Sequence, residues 1–129
     1  MAQVKIYGVD HNLTQYQKAL SAAIHQSLVA IFKLPEDKKF QRFIKLPTED
    51  FIYPQDRSQK YTIIEISIFE GRSIDTKKQL IRTLMQKIQN EVGIDTHDIE
   101  ITLFETPKSN WGIRGTCADE LQLNYPTQL

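Results

Sequence analysis

Only one cysteine, Cys117, is present in 129 residues, which excludes an intrachain disulfide framework and a thiolate metal cluster. That usage fits a reducing compartment. An excess of one charge is lacking too: sixteen basic and sixteen acidic residues cancel. The bulk attraction that nucleic-acid and anionic-membrane binders rely on is therefore missing, and neither partner is expected. No apolar run approaches membrane-spanning length, and Met-Ala-Gln-Val-Lys at the N-terminus has no basic stretch leading into an apolar one. A cytoplasmic protein is expected. Glycines number five and Gly71 stands isolated, so no phosphate-cradling loop is encoded. His11, His25 and His97 have no further ligand at metal-binding spacing, and no metal or other cofactor is predicted. Cys117 lacks a nucleophile signature and reads as a small packed residue.

What is present is internal likeness: the chain resembles itself when slid by sixty residues without a gap. Val4 falls on Ile64, Ile6 on Ile66, Leu20 on Leu80, Ile24 on Leu84, Leu28 on Ile88, Phe43 on Leu103, Pro47 on Pro107 and Phe51 on Trp111. A helix face, two strand parities and a shared proline at one offset point to two copies of one supersecondary unit. The prediction is one domain, 1–129, built as a tandem duplication of about 1–60 and 61–129.

Each copy reads as strand, helix, strand. Val4–Val9 is β-rich, and Thr14–Phe32 carries Tyr16, Leu20, Ala23, Ile24, Leu28, Ile31 and Phe32 at helical spacing. Thr14 with Gln17 forms a possible capping box, and Pro35 stops the helix. Phe40–Leu46 follows as a strand. In copy two, Tyr61–Phe69 and Ile99–Phe104 read as strands, Asp75–Val92 as a helix, and Gly93 as its C-terminal cap. The Pro107–Leu129 tail predicts turns and a short hairpin. Each crossover makes its two strands parallel. The expected fold is α+β, βαββαβ, a four-stranded sheet with two helices on one face. Val4, Ile6, Phe43, Ile64, Ile66, Ile68, Ile101 and Leu103 have the parity to meet the helices. Lys5, Tyr7, Arg42, Glu65, Ser67 and Phe104 face away, a mixture of charge and aromatics that predicts cover by other subunits. The same element order occurs in ferredoxin-like domains, some of which bind RNA, but no aromatic RNA-binding motif is present.

The joined βαβ units with a strand at the very N-terminus resemble the tautomerase superfamily over nearly the full chain. Gly71-Arg72-Ser73, Lys77, and Trp111 followed by Gly112 and Gly115 resemble its malonate semialdehyde decarboxylase subgroup. The resemblance implies a homotrimer with small active sites near subunit boundaries, each centred on the amine of an N-terminal proline bared by methionine removal. Here the corresponding residue is Ala2, whose primary amine would occupy the same place. An ordinary α-amino group titrates near 8, and burial lowers it, so the neutral amine would accept a proton or form an imine with a carbonyl. Alternatively, Ala2 simply begins an edge strand.

Arg72, between a strand and a helix, is placed to clamp a carboxylate bidentately, or else to pair at the surface with Asp75 or Glu70. Asn12 is its counterpart in copy one, which implies one site per duplicated chain. The subgroup's second arginine corresponds to Glu70. Its water-activating aspartate corresponds to Lys38, beside Asp37, in a stretch that also reads as a solvated turn. Trp111 walls the pocket or packs over a core edge. Arg42 and Arg114 are further cations for an interface or an ion pair. Tyr53, Asp56 and Arg57 lie in the linker and match no motif. The candidate set is thus Ala2 and Arg72 for catalysis and Arg72 and Trp111 for substrate binding, as the resemblance implies, with the cations Lys38 and Arg42 as further candidates for binding an anion. The implied activity is a tautomerase-like reaction on a small oxo-carboxylate metabolite. The alternative is a trimer that binds a small anion without chemistry.

Overall fold

The computed structural model describes residues 1–122 and 125–128. Leu123, Asn124 and Leu129 of the predicted tail lie outside the described residues. The elements are β1 (Ala2–Val9), α1 (Asp10–Phe32), β2 (Gln41–Leu46), β3 (Thr62–Phe69), α2 (Ile74–Val92), β4 (Ile99–Thr106) and a hairpin of β5 (Gly112–Ile113) and β6 (Thr116–Cys117). The four long strands form one sheet in the order β2-β1-β3-β4. β1 pairs with β2 and β3 with β4 in parallel, while β1 and β3 run antiparallel with Ala2 opposite Ile68. β1 and β3 are sixty residues apart end to end, as are the one-turn helices at Thr48–Asp50 and Lys108–Asn110. This is the duplicated βαβ architecture that the sequence periodicity predicts.

Both helices lie over one face. Val4, Ile6, Ile64, Ile66 and Ile68 are buried in one cluster with Leu20, Ile24 and Leu28 of α1 and Leu80, Leu84 and Ile88 of α2. Phe43, Ile101 and Leu103 pack at its margin. Each fully buried aliphatic chain contributes about 1.5–3 kcal/mol, so this face dominates the stability. Gly93 ends α2 in the left-handed region at φ 84°, its N–H donating to the carbonyls of Ile88 and Gln89. The opposite face carries Lys5, Tyr7, Glu65 and Ser67 half-buried and Arg42 and Phe104 exposed.

The structure corrects two local expectations. α1 begins at Asp10, not Thr14, so His11 and Asn12 are helical and no capping box forms; Thr14 Oγ1 instead donates to Asp10 Oδ1 at 3.4 Å. Cys117 is exposed on β6 rather than packed. The surroundings of Arg72 follow from how the two copies diverge.

Candidate active site

Copy one passes straight from β1 into α1, whereas copy two inserts a loop, Glu70–Ser73, before α2. The cause is a pair of residues. In copy one, Gly8 leaves room for buried Leu13: a Cβ on Gly8 would come within 2.7 Å of the Leu13 side chain. Their counterparts are Ile68 and Ser73. The isoleucine fills that room, so a first helical turn with a buried side chain does not fit. Ser73 instead becomes the N-cap, its side chain accepting from the Thr76 N–H at 3.1 Å. Gly71 allows the loop its sharp path at φ 130°.

That loop turns Arg72 inward. The residue is only 4% exposed, not a surface arginine, and neither Asp75 nor Glu70 pairs with it in the ion pairs of the described residues. Its guanidinium lies 4.3 Å from the centre of the Phe32 ring, and Nη1 donates to the Phe69 carbonyl at 3.2 Å. Among the described residues, Nε and Nη2 are buried without a hydrogen-bond partner. These two donors share the guanidinium edge that engages a carboxylate side-on through two parallel bonds. Burial lowers its pKa to about 10, partly offset by the negative charge of Glu105, which is held by Lys77 at 2.8 Å.

The N-terminal nitrogen lies in the same neighbourhood. Met1 and Ala2 are 7% and 3% exposed. The Met1 nitrogen is hydrogen-bonded to the Tyr125 hydroxyl. Burial, followed by the positive charges of Arg72, Lys108 and Arg114, lowers its pKa from 8.0 to about 4. That shift favours the uncharged form of the Met1 amine at neutral pH. Beside it Trp111 meets Phe69 edge-on, 4.8 Å between ring centres, and Phe69, Ala118, Ile113 and Trp111 enclose the Met1 side chain. Trp111 therefore packs at a core edge beside the N-terminal residue. A hollow of about 450 Å³ opens alongside, bounded by Glu70, Gly71, Pro107, Lys108, Asp119 and Thr127.

The predicted set is only partly brought together. Ala2, Arg72 and Trp111 converge. Arg42 is exposed on β2 and contacts Gln3 Oε1 at 3.4 Å, and Lys38 follows the turn after α1. Neither is among the charges acting on the N-terminal nitrogen. A second hollow of about 430 Å³, lined by Ala22, His25, Val29, Glu36 and Lys39, holds no orphaned donor. The linker residues form a lock instead: Arg57 bonds Asp56 at 2.6 Å and Glu100 at 3.2 Å, and Tyr53 packs on Phe51 and Tyr61. Sequence reasoning missed Lys108 and Tyr125. Tyr125 lies beyond the duplicated pattern, where periodicity carries no signal, and its tail position was the one available hint. The same tail segment rests on the Arg72 loop, since a Cβ on Gly71 would come within 2.7 Å of the Thr127 carbonyl oxygen.

With this geometry in view, the likenesses to known proteins take on meaning. Residues 38–114, more than half of the chain, match the family described as tautomerase enzyme. The probable tautomerase YusQ of Bacillus subtilis is 28% identical over 97 residues, covering 71% of this chain and 76% of that protein. A malonate semialdehyde decarboxylase shares the fold at TM-score 0.76 and 19% identity, covering 86% of this chain and 89% of the other. A fused 4-OT symmetric trimer superposes at TM-score 0.75 and 18% identity, over 90% and 94% of the two chains.

Proposed function

The chain belongs to the tautomerase family, and we propose that it acts on a small oxo-carboxylate through its N-terminal amine. One observation carries this reading: the buried Met1 nitrogen feels the positive charges of Arg72, Lys108 and Arg114, and Arg72 keeps two buried donors without a partner among the described residues. Alanine at position two favours removal of Met1. The amine of Ala2 then faces the space that Met1 leaves, and Arg72 takes the substrate carboxylate.

The anion also changes the amine. A bound carboxylate offsets the positive field of Arg72, Lys108 and Arg114, so the amine becomes more basic when substrate is in place. In the proton-transfer route the amine takes a proton from the carbon or enol oxygen beside the carbonyl and returns it at the other position. In the imine route the nitrogen attacks the carbonyl carbon, and the carbinolamine expels water. Being primary, the amine yields a neutral imine that borohydride reduces to a stable secondary amine.

The working unit is a cytoplasmic homotrimer of the duplicated domain, joined through the outer sheet face. Support for the trimer is the half-buried mixture of Lys5, Tyr7, Glu65 and Ser67 on a sheet face with no helix over it, together with the exposed Phe104. Among the described residues, no helix is long and apolar enough to cross a membrane.

The test uses purified protein whose mass shows Met1 removed, assayed with phenylenolpyruvate, 2-hydroxymuconate and malonate semialdehyde. A parallel sample is treated with pyruvate and borohydride. Turnover or a reduced adduct on Ala2 is expected. If neither exceeds an N-terminally blocked control, the catalytic reading fails, and anion binding without chemistry would be the function left.

A further inference from the structure

The Met1 side chain sits where no substrate arm could coexist with it. It lies among Phe69, Trp111, Ile113 and Ala118, and its nitrogen holds the Tyr125 hydroxyl. The sixty-residue offset shows what this space is. Tyr61 is the counterpart of Met1, Phe51 of Trp111 and Val9 of Phe69. In copy one the Tyr61 ring stacks on Phe51 at 5.6 Å, in one cluster with Val9. That slot is permanently filled, because Tyr61 is held in an unbroken chain. In copy two the filling group is the first residue, attached by a single peptide bond.

We propose that Met1 marks the slot for the substrate's apolar arm. Building on the function proposed above, the preferred ligand is a 2-oxo acid with an unbranched arm of about four non-hydrogen atoms, the reach of a methionine side chain. Its carboxylate lies on the free Nε and Nη2 edge of Arg72, its carbonyl oxygen accepts from the Tyr125 hydroxyl, and its arm runs between Phe69 and Trp111. The chain that retains Met1 is self-blocked, since its own side chain and nitrogen hold the slot and the hydroxyl.

The slot makes a quantitative demand. Each methylene buried in it tightens binding roughly fourfold. The probes are pyruvate, 2-oxobutanoate, 2-oxopentanoate, 2-oxohexanoate and 2-oxooctanoate, with Kd read by calorimetry on the processed chain. Kd is expected to fall stepwise to 2-oxohexanoate and to stop falling at 2-oxooctanoate. Ala118→Leu, checked first for an unchanged melting curve, shifts the optimum to a shorter arm. The Met1-retaining chain, made with methionine aminopeptidase inhibited, binds the longer acids at least tenfold more weakly. If the processed chain binds pyruvate and the longer acids equally well, the slot is refuted while the proposed function stands. If no acid binds and pyruvate leaves no borohydride-reducible adduct, the proposed function falls and the slot with it.

Discussion

Arg72 is held in a place that suits a ligand better than it suits the fold, and replacing it by methionine separates the two. Two buried donors without partners each cost about 1–3 kcal/mol. The fall of the guanidinium pKa to about 10 expresses the same desolvation, and corresponds to roughly 3 kcal/mol against keeping the charge. On the other side stand the contact with the Phe32 ring, worth about 0.5–2 kcal/mol, and the Nη1 bond to the Phe69 carbonyl. Methionine keeps the apolar stem and fills much of the volume. Arg72→Met is therefore expected to stabilise the fold by about 1–3 kcal/mol. In a domain of this size that raises the melting temperature by about 4 °C per kcal/mol. The same change removes the proposed bidentate partner of the carboxylate, an expected loss of about 2–5 kcal/mol, or roughly thirtyfold to several thousandfold in Kd. Urea unfolding at neutral pH and calorimetry with 2-oxohexanoate read the two effects separately. A variant that is less stable by more than about 1 kcal/mol and binds as well as the parent refutes the reasoning. It would mean that Nε and Nη2 are satisfied by another group and that the carboxylate lies elsewhere.

In the chain retaining Met1, the N-terminal pKa falls from 8.0 to about 4, so between those values the unfolded chain binds a proton that the folded chain does not. Its contribution makes stability rise with pH from about 4 to about 8 and level off outside that window. The unfolding free energy of this chain minus that of its N-acetylated form, measured at several pH values, should show that rise; a flat difference means the nitrogen keeps its ordinary value. Gly71→Ala brings a Cβ to 2.7 Å from the Thr127 carbonyl oxygen at φ 130°, and is expected to lower stability by about 1–3 kcal/mol. Faster hydrogen exchange at the Tyr125, Thr127 and Gln128 amides would accompany it, and unchanged exchange would show that the tail does not depend on this approach. Phe104→Lys places a charge on the outer sheet face and should convert the proposed trimer to monomers in sedimentation velocity. A variant that stays trimeric moves the interface off that face.

Amino-acid order alone determined the architecture, because hydrophobic spacing is a local property that repeats. Leu20, Ile24 and Leu28 and their counterparts Leu80, Leu84 and Ile88 reveal two helices on one core, and strand parity separates the apolar face from the mixed one. Arg72 and Trp111 stood out by resemblance, and Ala2 by position. Helix starts were less legible: α1 gains its first turn from the fit of Leu13 against Gly8, a contact between a helix and a strand end that no periodicity encodes. The site itself belongs to the tertiary structure. Substituting Ile68 and Ser73 for that pair opens the loop that buries Arg72, and only folding carries Tyr125 across 124 residues to the N-terminal nitrogen. The pKa of that amine and the orphaned edge of Arg72 arise from burial and nearby charge. Both are set by which chain segments exclude water from one another, and a linear order of residues does not state that.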